Sequence, residues 1–231
     1  MDHNNFDFNK QNSEVLYSDD KTLQVYNNLS VDQIDNWDNG ISHTSQYFST
    51  AFPEKNSYIL DIGIGSGRDM CLLFKMGYNV YGVEPSEKLI NETIKRHSQN
   101  INDISNRLIK SSLPFLTGCQ DSLYDGILCT TVLMHIPEDQ LVNCVKNIKR
   151  ILKNNGHLLL SVPINTVDEN MPLSGLDSQN RDKQGRLFNP LSEKKLRSIF
   201  EKEGFTFTNK WIDADGLGRS DRKLLTLLFN L

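Results

Sequence analysis

Ile59-Leu60-Asp61-Ile62-Gly63-Ile64-Gly65-Ser66-Gly67-Arg68-Asp69 is the stretch that decides the fold. A short apolar run stops at glycines in alternate positions and passes directly into a helical pattern. Glycine has no Cβ, so such a turn lets backbone approach a ligand closely. The helix that follows points unpaired N–H groups at whatever lies above the strand end. The stretch therefore predicts a strand, a ligand-facing loop and a helix, in that order.

Working outward, the same alternation repeats. Tyr58–Ile62 reads as the first strand, with a helix over 66–76 closed by Gly77. Asn79–Glu84 is a second strand, and Ser86 is placed to cap a helix running to about 99. Arg107–Lys110 and Tyr124–Thr130 are the third and fourth strands. Pro137 suits the first turn of a helix reaching about 153, with Leu141, Val145, Ile148 and Leu152 on one stripe. Gly156 ends it, and His157–Val162 is a fifth strand. Strands separated by helix-length crossovers imply a parallel sheet covered on both faces.

The flanks are less regular. The first fifty or so residues are polar and carry scattered aromatics, including Phe6, Phe8, Tyr17, Tyr26, Trp37, Tyr47 and Phe48. Helices are expected over 13–28 and 40–51, with a break near Asn39-Gly40, before Pro53 marks a change of pattern. This divides the chain into a helical cap or accessory segment, 1–53, and a main domain, 54–231. After Pro163 about 25 irregular residues follow, of a length usual for lids or binding loops. A helix over 192–203 and strands at Phe205–Ile212 and Leu224–Phe229 close the chain, the strands as an antiparallel hairpin at the sheet edge.

Composition narrows the partners. Hydrophobic residues are 38% and charged residues 23%, which fits a soluble globular chain able to bury its own core. No apolar run approaches the roughly 18 residues of a membrane span, and MDHNNFDFNK lacks the features of a secretory signal. Cys71, Cys119, Cys129 and Cys144 show no CxxC spacing and are expected as reduced, mostly buried thiols in a cytoplasmic protein. The histidines do not cluster with them, so no metal site is expected. Net charge is −4, and the densest basic groups (Lys194-Lys195-Arg197 and Lys146-Lys149-Arg150) read as solvated helix faces. Nucleic acid is therefore a weaker candidate partner, and a membrane is not one.

The glycine spacing selects the ligand. A dinucleotide loop reads GxGxxG, whereas this one is GxGxG with Asp61 two residues before the first glycine. A pyrophosphate wants helix N–H donors and no nearby carboxylate. A cationic amino-acid ligand tolerates one, and S-adenosylmethionine carries both a sulfonium and an ammonium group. Glu84, 23 residues after Asp61, stands at the end of the second strand, where its carboxylate can accept both hydroxyls of a ribose. Nicotinamide sites use that device too, so the combination with Asp61 and GxGxG carries the distinction.

Asp61-Ile62-Gly63-Ile64-Gly65-Ser66-Gly67-Arg68-Asp69, Val83-Glu84-Pro85-Ser86, Tyr124-Asp125-Gly126-Ile127-Leu128 and Leu133-Met134-His135-Ile136-Pro137 together resemble the Rossmann-like (class I) S-adenosylmethionine-dependent methyltransferases. The matches fall in order between about 57 and 163; the tail from 185 fits loosely. The resemblance implies an α/β, doubly wound, mostly parallel seven-stranded sheet with an antiparallel last strand. It implies S-adenosyl-L-methionine as cofactor and S-adenosyl-L-homocysteine as product, with Gly63, Gly65 and Gly67 beneath the methionine part, Glu84 at the ribose, and Pro85 beside it among the cofactor-binding residues. Such enzymes often place an Asp near the adenine after the third strand; this chain has Ser111-Ser112-Leu113, leaving adenine to a serine hydroxyl or to backbone.

Methyl transfer chiefly needs alignment and exclusion of water, and a base only where the acceptor must lose a proton. His135, on the loop after the fourth strand, is the candidate base, its alternative being a helix-entry histidine packed before Pro137. Arg68 is a candidate for the cofactor carboxylate or else a partner of Asp69, a first-turn charge answering the helix dipole. Thr130, with Thr131, ends the fourth strand and is a candidate lining residue. Trp37, Tyr47 and Phe48 read as an aromatic lid or as core for a docked helix. Asp168, Glu169 and Met171 read as substrate contacts or solvated loop, and Arg181, Arg186 and Arg219 as contacts to an acidic acceptor or surface charges. A small-molecule acceptor leads. A protein or peptide acceptor, a binder that does not transfer methyl, and a nicotinamide-dependent oxidoreductase are the alternatives.

Overall fold

The computed structural model describes residues 19–231. The start of the expected 13–28 helix, and Phe6, Phe8 and Tyr17, lie outside them. The described chain runs α1 (Asp20–Asn27), α2 (Val31–Asp38), α3 (Phe48–Ala51), β1 (Tyr58–Ile62), α4 (Arg68–Lys75), β2 (Asn79–Glu84), α5 (Glu87–His97), β3 (Leu108–Lys110), β4 (Tyr124–Thr130), α6 (Leu141–Ile151), β5 (Leu152–Asn165), α7 (Glu193–Lys202), β6 (Thr206–Ala214) and β7 (Arg222–Asn230).

The strands form one sheet in the order β3-β2-β1-β4-β5-β7-β6. β1 pairs parallel with β2 and β4, and β7 pairs antiparallel with both β5 and β6. This is the α/β, seven-stranded sheet with a reversed last strand. The closing hairpin differs from expectation in one respect. Its second strand is inserted against β5, and β6 becomes the edge. The sequence explains the choice: Leu224 to Phe229 are all buried, whereas β6 alternates between exposed and half-buried residues. A strand this apolar, with Thr226 its one polar residue between Leu224 and Phe229, needs cover on both faces, which only an interior position supplies.

The same logic centres β1, whose Ile59, Leu60 and Ile62 are sealed on both sides. α6 buries Leu141, Cys144, Val145, Ile148 and Ile151 at helical spacing, each large side chain contributing about 1.5–3 kcal/mol. Ser86 caps α5 by accepting the Leu89 N–H, and Ser192 caps α7 by accepting that of Lys195.

Three element boundaries move. The expected 40–51 helix is a single 3₁₀ turn, Ser45–Tyr47, followed by the four-residue α3. A helix not anticipated, α2, precedes it, opened by a capping box in which Ser30 and Gln33 satisfy each other's backbone N–H groups. β5 begins at Leu152, which pairs with Tyr124; the register then shifts so that Gly126 faces His157. The residues between bulge out with Asn155 at φ 65°, so α6 ends at Ile151 rather than near 153.

α1 and α2 meet the sheet domain through a small cluster, Leu29, Ile34 and Leu89, joined by Tyr26 and Trp37. Phe48, Ala51 and Phe52 instead join the second of the two large core clusters, beside Ile59. The four cysteines are free and buried. Among the described residues no helix is long and apolar enough to cross a membrane.

Candidate active site

The strand order reverses direction between β1 and β4, and in open α/β sheets ligands bind at the carboxyl ends of strands there. A cavity of about 250 Å³ occupies this place. That lies just below the roughly 300–1,000 Å³ usual for small-molecule sites.

The floor is the glycine loop. Gly63 N–H donates to the Val83 carbonyl at 2.8 Å, tying the loop to β2. Gly63 (φ 75°) also faces Val132: a Cβ there would stand 2.5 Å from Val132 Cγ2. Gly65 (φ 57°) has no neighbour within 4 Å of its missing Cβ, so its open side belongs to the cavity. Gly67 serves otherwise. It does not line the cavity, and a Cβ would meet Thr93 at 2.5 Å and His97 at 2.9 Å, so its role is the close approach of α4 and α5.

Three carboxylates gather at this floor. Asp61 is 2% exposed; burial, then the charge of Asp69, holds its carboxyl well above the usual range. Glu84 accepts N–H bonds from Ser86 at 3.0 Å and Gly65 at 3.2 Å. Burial outweighs both bonds and pushes Glu84 up to about 7. Asp69 is paired with Arg68, whose guanidinium also donates to the carbonyls of Trp37 at 3.1 Å and Gly40 at 3.3 Å. Arg68 thus fastens the end of α2 over the loop. Pro85, Ser112, Leu113 and Thr130 complete the lining predicted from sequence, and the Thr130 hydroxyl is buried without a partner.

Of the roof, the sequence had offered Trp37, Arg186 and Arg219 as candidates, and it gave no role there to Tyr26, His43, Phe188, Asp215 or Arg222. Tyr26 and Trp37 reach the cavity from α1 and α2, and His43 from the turn that follows. Arg186 and Phe188 come from the long loop, and Asp215, Arg219 and Arg222 from the β6–β7 connection. No periodicity marks these positions; aromatics in a polar segment were the available signal for the first two. Tyr47 and Phe48 are not part of the roof: Tyr47 stacks on Trp211 and bonds Asp213, and Phe48 is core. Asp168 and Met171 are exposed and, with Glu169, lie outside the lining. Arg181 also lies outside, gripping the buried Asp19 at 2.8 Å. Arg186 and Arg219 do line the cavity, paired with Asp182 and Asp215.

Two histidines face this space. His43 Nε2 is 2.8 Å from the Ser161 hydroxyl, and burial lowers its pKa. His135, 3% exposed, is bonded at both ring nitrogens: Nδ1 to the Leu187 carbonyl at 2.5 Å, Nε2 to the Tyr26 hydroxyl at 2.6 Å. Burial takes His135 down to about 4 and Tyr26 up to about 12, so the pair is neutral across the physiological range.

The strand order and the crevice at its switch point define a Rossmann-like α/β protein. Comparison with known proteins goes one step further. A family profile described as a methyltransferase domain matches residues 36–210. The probable S-adenosyl-L-methionine-dependent methyltransferase TehB of Haemophilus influenzae is 29% identical over 122 residues, covering 50% of this chain and 39% of that protein. A ubiquinone biosynthesis O-methyltransferase of Coxiella burnetii is 29% identical over 124 residues, covering 50% and 47%. The matched region is thus less than half the length of these curated relatives. Among solved structures, the 1,6-didemethyltoxoflavin-N1-methyltransferase of Burkholderia thailandensis, with bound 1,6-didemethyltoxoflavin and S-adenosylhomocysteine, superposes with a TM-score of 0.68 at 16% identity over 94% of this chain and 92% of that one. The cyclase SpnF gives 0.66 at 14% identity over 94% and 98%. The chain belongs to the class I S-adenosylmethionine-dependent methyltransferase family.

Proposed function

We propose that this chain transfers a methyl group from S-adenosyl-L-methionine to a small-molecule acceptor held between the sheet and the α1–α2 cap. One observation carries the reading: the same partly covered cavity is lined by the acidic glycine-loop floor and by a roof built from three separate segments. A roof of that kind suits a small acceptor better than a protein surface.

The residues present fit the cofactor. Gly65 offers an open cradle, and the Thr130 hydroxyl is an unused hydrogen-bonding group. A carboxylate offers about four lone-pair sites, of which backbone N–H groups take two at Glu84, leaving room for two ribose hydroxyls. Asp61, Gly63, Gly65 and Arg68 would hold the methionine part, Glu84 and Pro85 the ribose, and Ser112 and Leu113 the adenine. When bound, the cofactor supplies a methyl carbon already activated by positive sulfur. The chain's own contribution is placement and dryness: the floor fixes one reactant, and the roof excludes water around the other.

A thermal-shift comparison tests this. At a hundredfold excess over Kd a ligand adds about 2.7 kcal/mol, which for a chain of this size raises Tm by about 5–11 °C. S-adenosylhomocysteine is expected to produce that shift and NADH none. An equal shift with NADH, or none with S-adenosylhomocysteine, refutes the reading.

A further inference from the structure

The direction of one hydrogen-bond chain in the roof is fixed by its end group. The Leu187 carbonyl can only accept, so His135 Nδ1 carries the ring proton. The neutral ring then has a bare lone pair at Nε2, and the Tyr26 hydroxyl beside it must be the donor. With its proton committed to His135, the Tyr26 oxygen has only lone pairs to offer anything else. The Arg186 guanidinium stands nearby, its carbon 5.9 Å from the Tyr26 ring centroid, and the oxygen's lone pairs are left for a donor. Tyr26 and His135 both line the cavity, but the one basic lone pair on His135 is covered by Tyr26.

We propose that Tyr26 is a further catalytic residue, whose phenolic oxygen receives the proton of an acceptor O–H or N–H while its own proton passes to His135. This rests on the methyl-transfer reading above and names the acceptor class: a protic oxygen or nitrogen nucleophile, not a thioether or a tertiary amine. The electron pair of the acceptor's O–H or N–H bond stays on the acceptor atom, which has spent a lone pair in bonding to the methyl carbon. The released proton moves to Tyr26 Oη as the original Tyr26 proton moves to Nε2. A neutral tyrosine and an imidazolium result, so the positive charge that entered with the methyl donor leaves on His135 and then passes to water.

A feeble base is enough for this step. The acceptor proton becomes strongly acidic only as its atom bonds to carbon, so the relay has to capture a proton that is already departing. Asp182 and Asp19 favour the transient imidazolium, and Arg186 opposes it.

The test uses the full chain with S-adenosylhomocysteine. Nitrogen-15 NMR of the His135 ring is expected to show protonated Nδ1 and bare, hydrogen-bonded Nε2. Affinities for 4-nitrophenol and its non-donating ether 4-nitroanisole are then measured on the same complex. Wild type should prefer the phenol at least tenfold, and Tyr26→Phe should lose the preference. His135→Gln, which can donate to Leu187 and accept from Tyr26, should keep it, and this variant together with the wild-type ratio decides the matter even if Tyr26→Phe folds poorly. A ring protonated at Nε2, equal affinities for phenol and ether, or binding of neither overturns the proposal. Should S-adenosylhomocysteine itself fail to bind, it is the methyl-transfer reading that falls; if it binds and the phenol preference is absent, only the Tyr26 assignment does.

Discussion

Glu84→Gln separates what this carboxylate, proposed above to hold the ribose, does for binding from what it does to stability. In the ligand-free protein Glu84 is held at about 7 against an ordinary 4.5. The folded state therefore binds this proton more tightly than the unfolded chain. Its stabilising contribution is complete below pH 4.5 and is lost as pH rises through 7. At about 1.4 kcal/mol per pH unit, the penalty for the buried charge above pH 7 is about 3 kcal/mol. Glutamine removes the charge but sets an amide N–H against one of the two backbone donors, Gly65 or Ser86, at a cost of about 1 kcal/mol. The net gain of about 2 kcal/mol should raise the ligand-free Tm at pH 8.5 by about 4–8 °C. Near pH 5 the advantage should vanish, because the wild-type carboxyl is protonated in the fold. Thermal melts of both proteins from pH 5 to 8.5, followed by titration with S-adenosylhomocysteine, make the measurement. The variant should be the more stable at high pH and the weaker binder throughout. Parallel melting curves, or a variant below wild type at pH 8.5, would show that burial does not destabilise this carboxylate and refute the argument.

The glycines give a second contrast: Gly65→Ala should cost only the roughly 1 kcal/mol of left-handed backbone yet abolish cofactor binding, whereas Gly63→Ala adds the clash with Val132 and should lower Tm further. Equal melting temperatures for the two would contradict the distances. Arg68→Ala leaves Asp69 and the carbonyls of Trp37 and Gly40 without their donor, at an expected cost of about 1–3 kcal/mol. Limited proteolysis between residues 19 and 44 should accelerate, and unchanged cleavage would count against Arg68 as the fastening. Gly126→Ala puts a Cβ 2.5 Å from Phe52 and should destabilise by about 1–3 kcal/mol; a second change, Phe52→Leu, should recover part of the loss if that contact is the cause.

The interval from β1 to β5 was legible in the sequence because its signals are local. Apolar runs ended by glycine define strands, a serine marks the start of α5, and the GxGxG loop with Asp61 and Glu84 needs no distant partner to be recognised. Those residues meet because β1 and β2 lie side by side in parallel, with Asp61 opposite Gly82. Where the sequence was misread, competing local and distant effects decided. Gly67 carries the same signature as Gly63 and Gly65, but what it approaches is α5, more than twenty residues along the chain.

The roof, by contrast, exists only in three dimensions. Tyr26 and His135 are 109 residues apart, and His135 and Leu187 a further 52. Nothing in their sequence neighbourhoods shows that they touch, still less which nitrogen of His135 bears the proton. The amino-acid sequence by itself determined the sheet, the loop and the kind of cofactor, since backbone hydrogen bonding and burial act through short-range pattern. The tertiary structure decided which side chains line the cavity above that loop, because residues of α1, the long loop and the β6–β7 connection become neighbours only after the sheet has brought their anchors together.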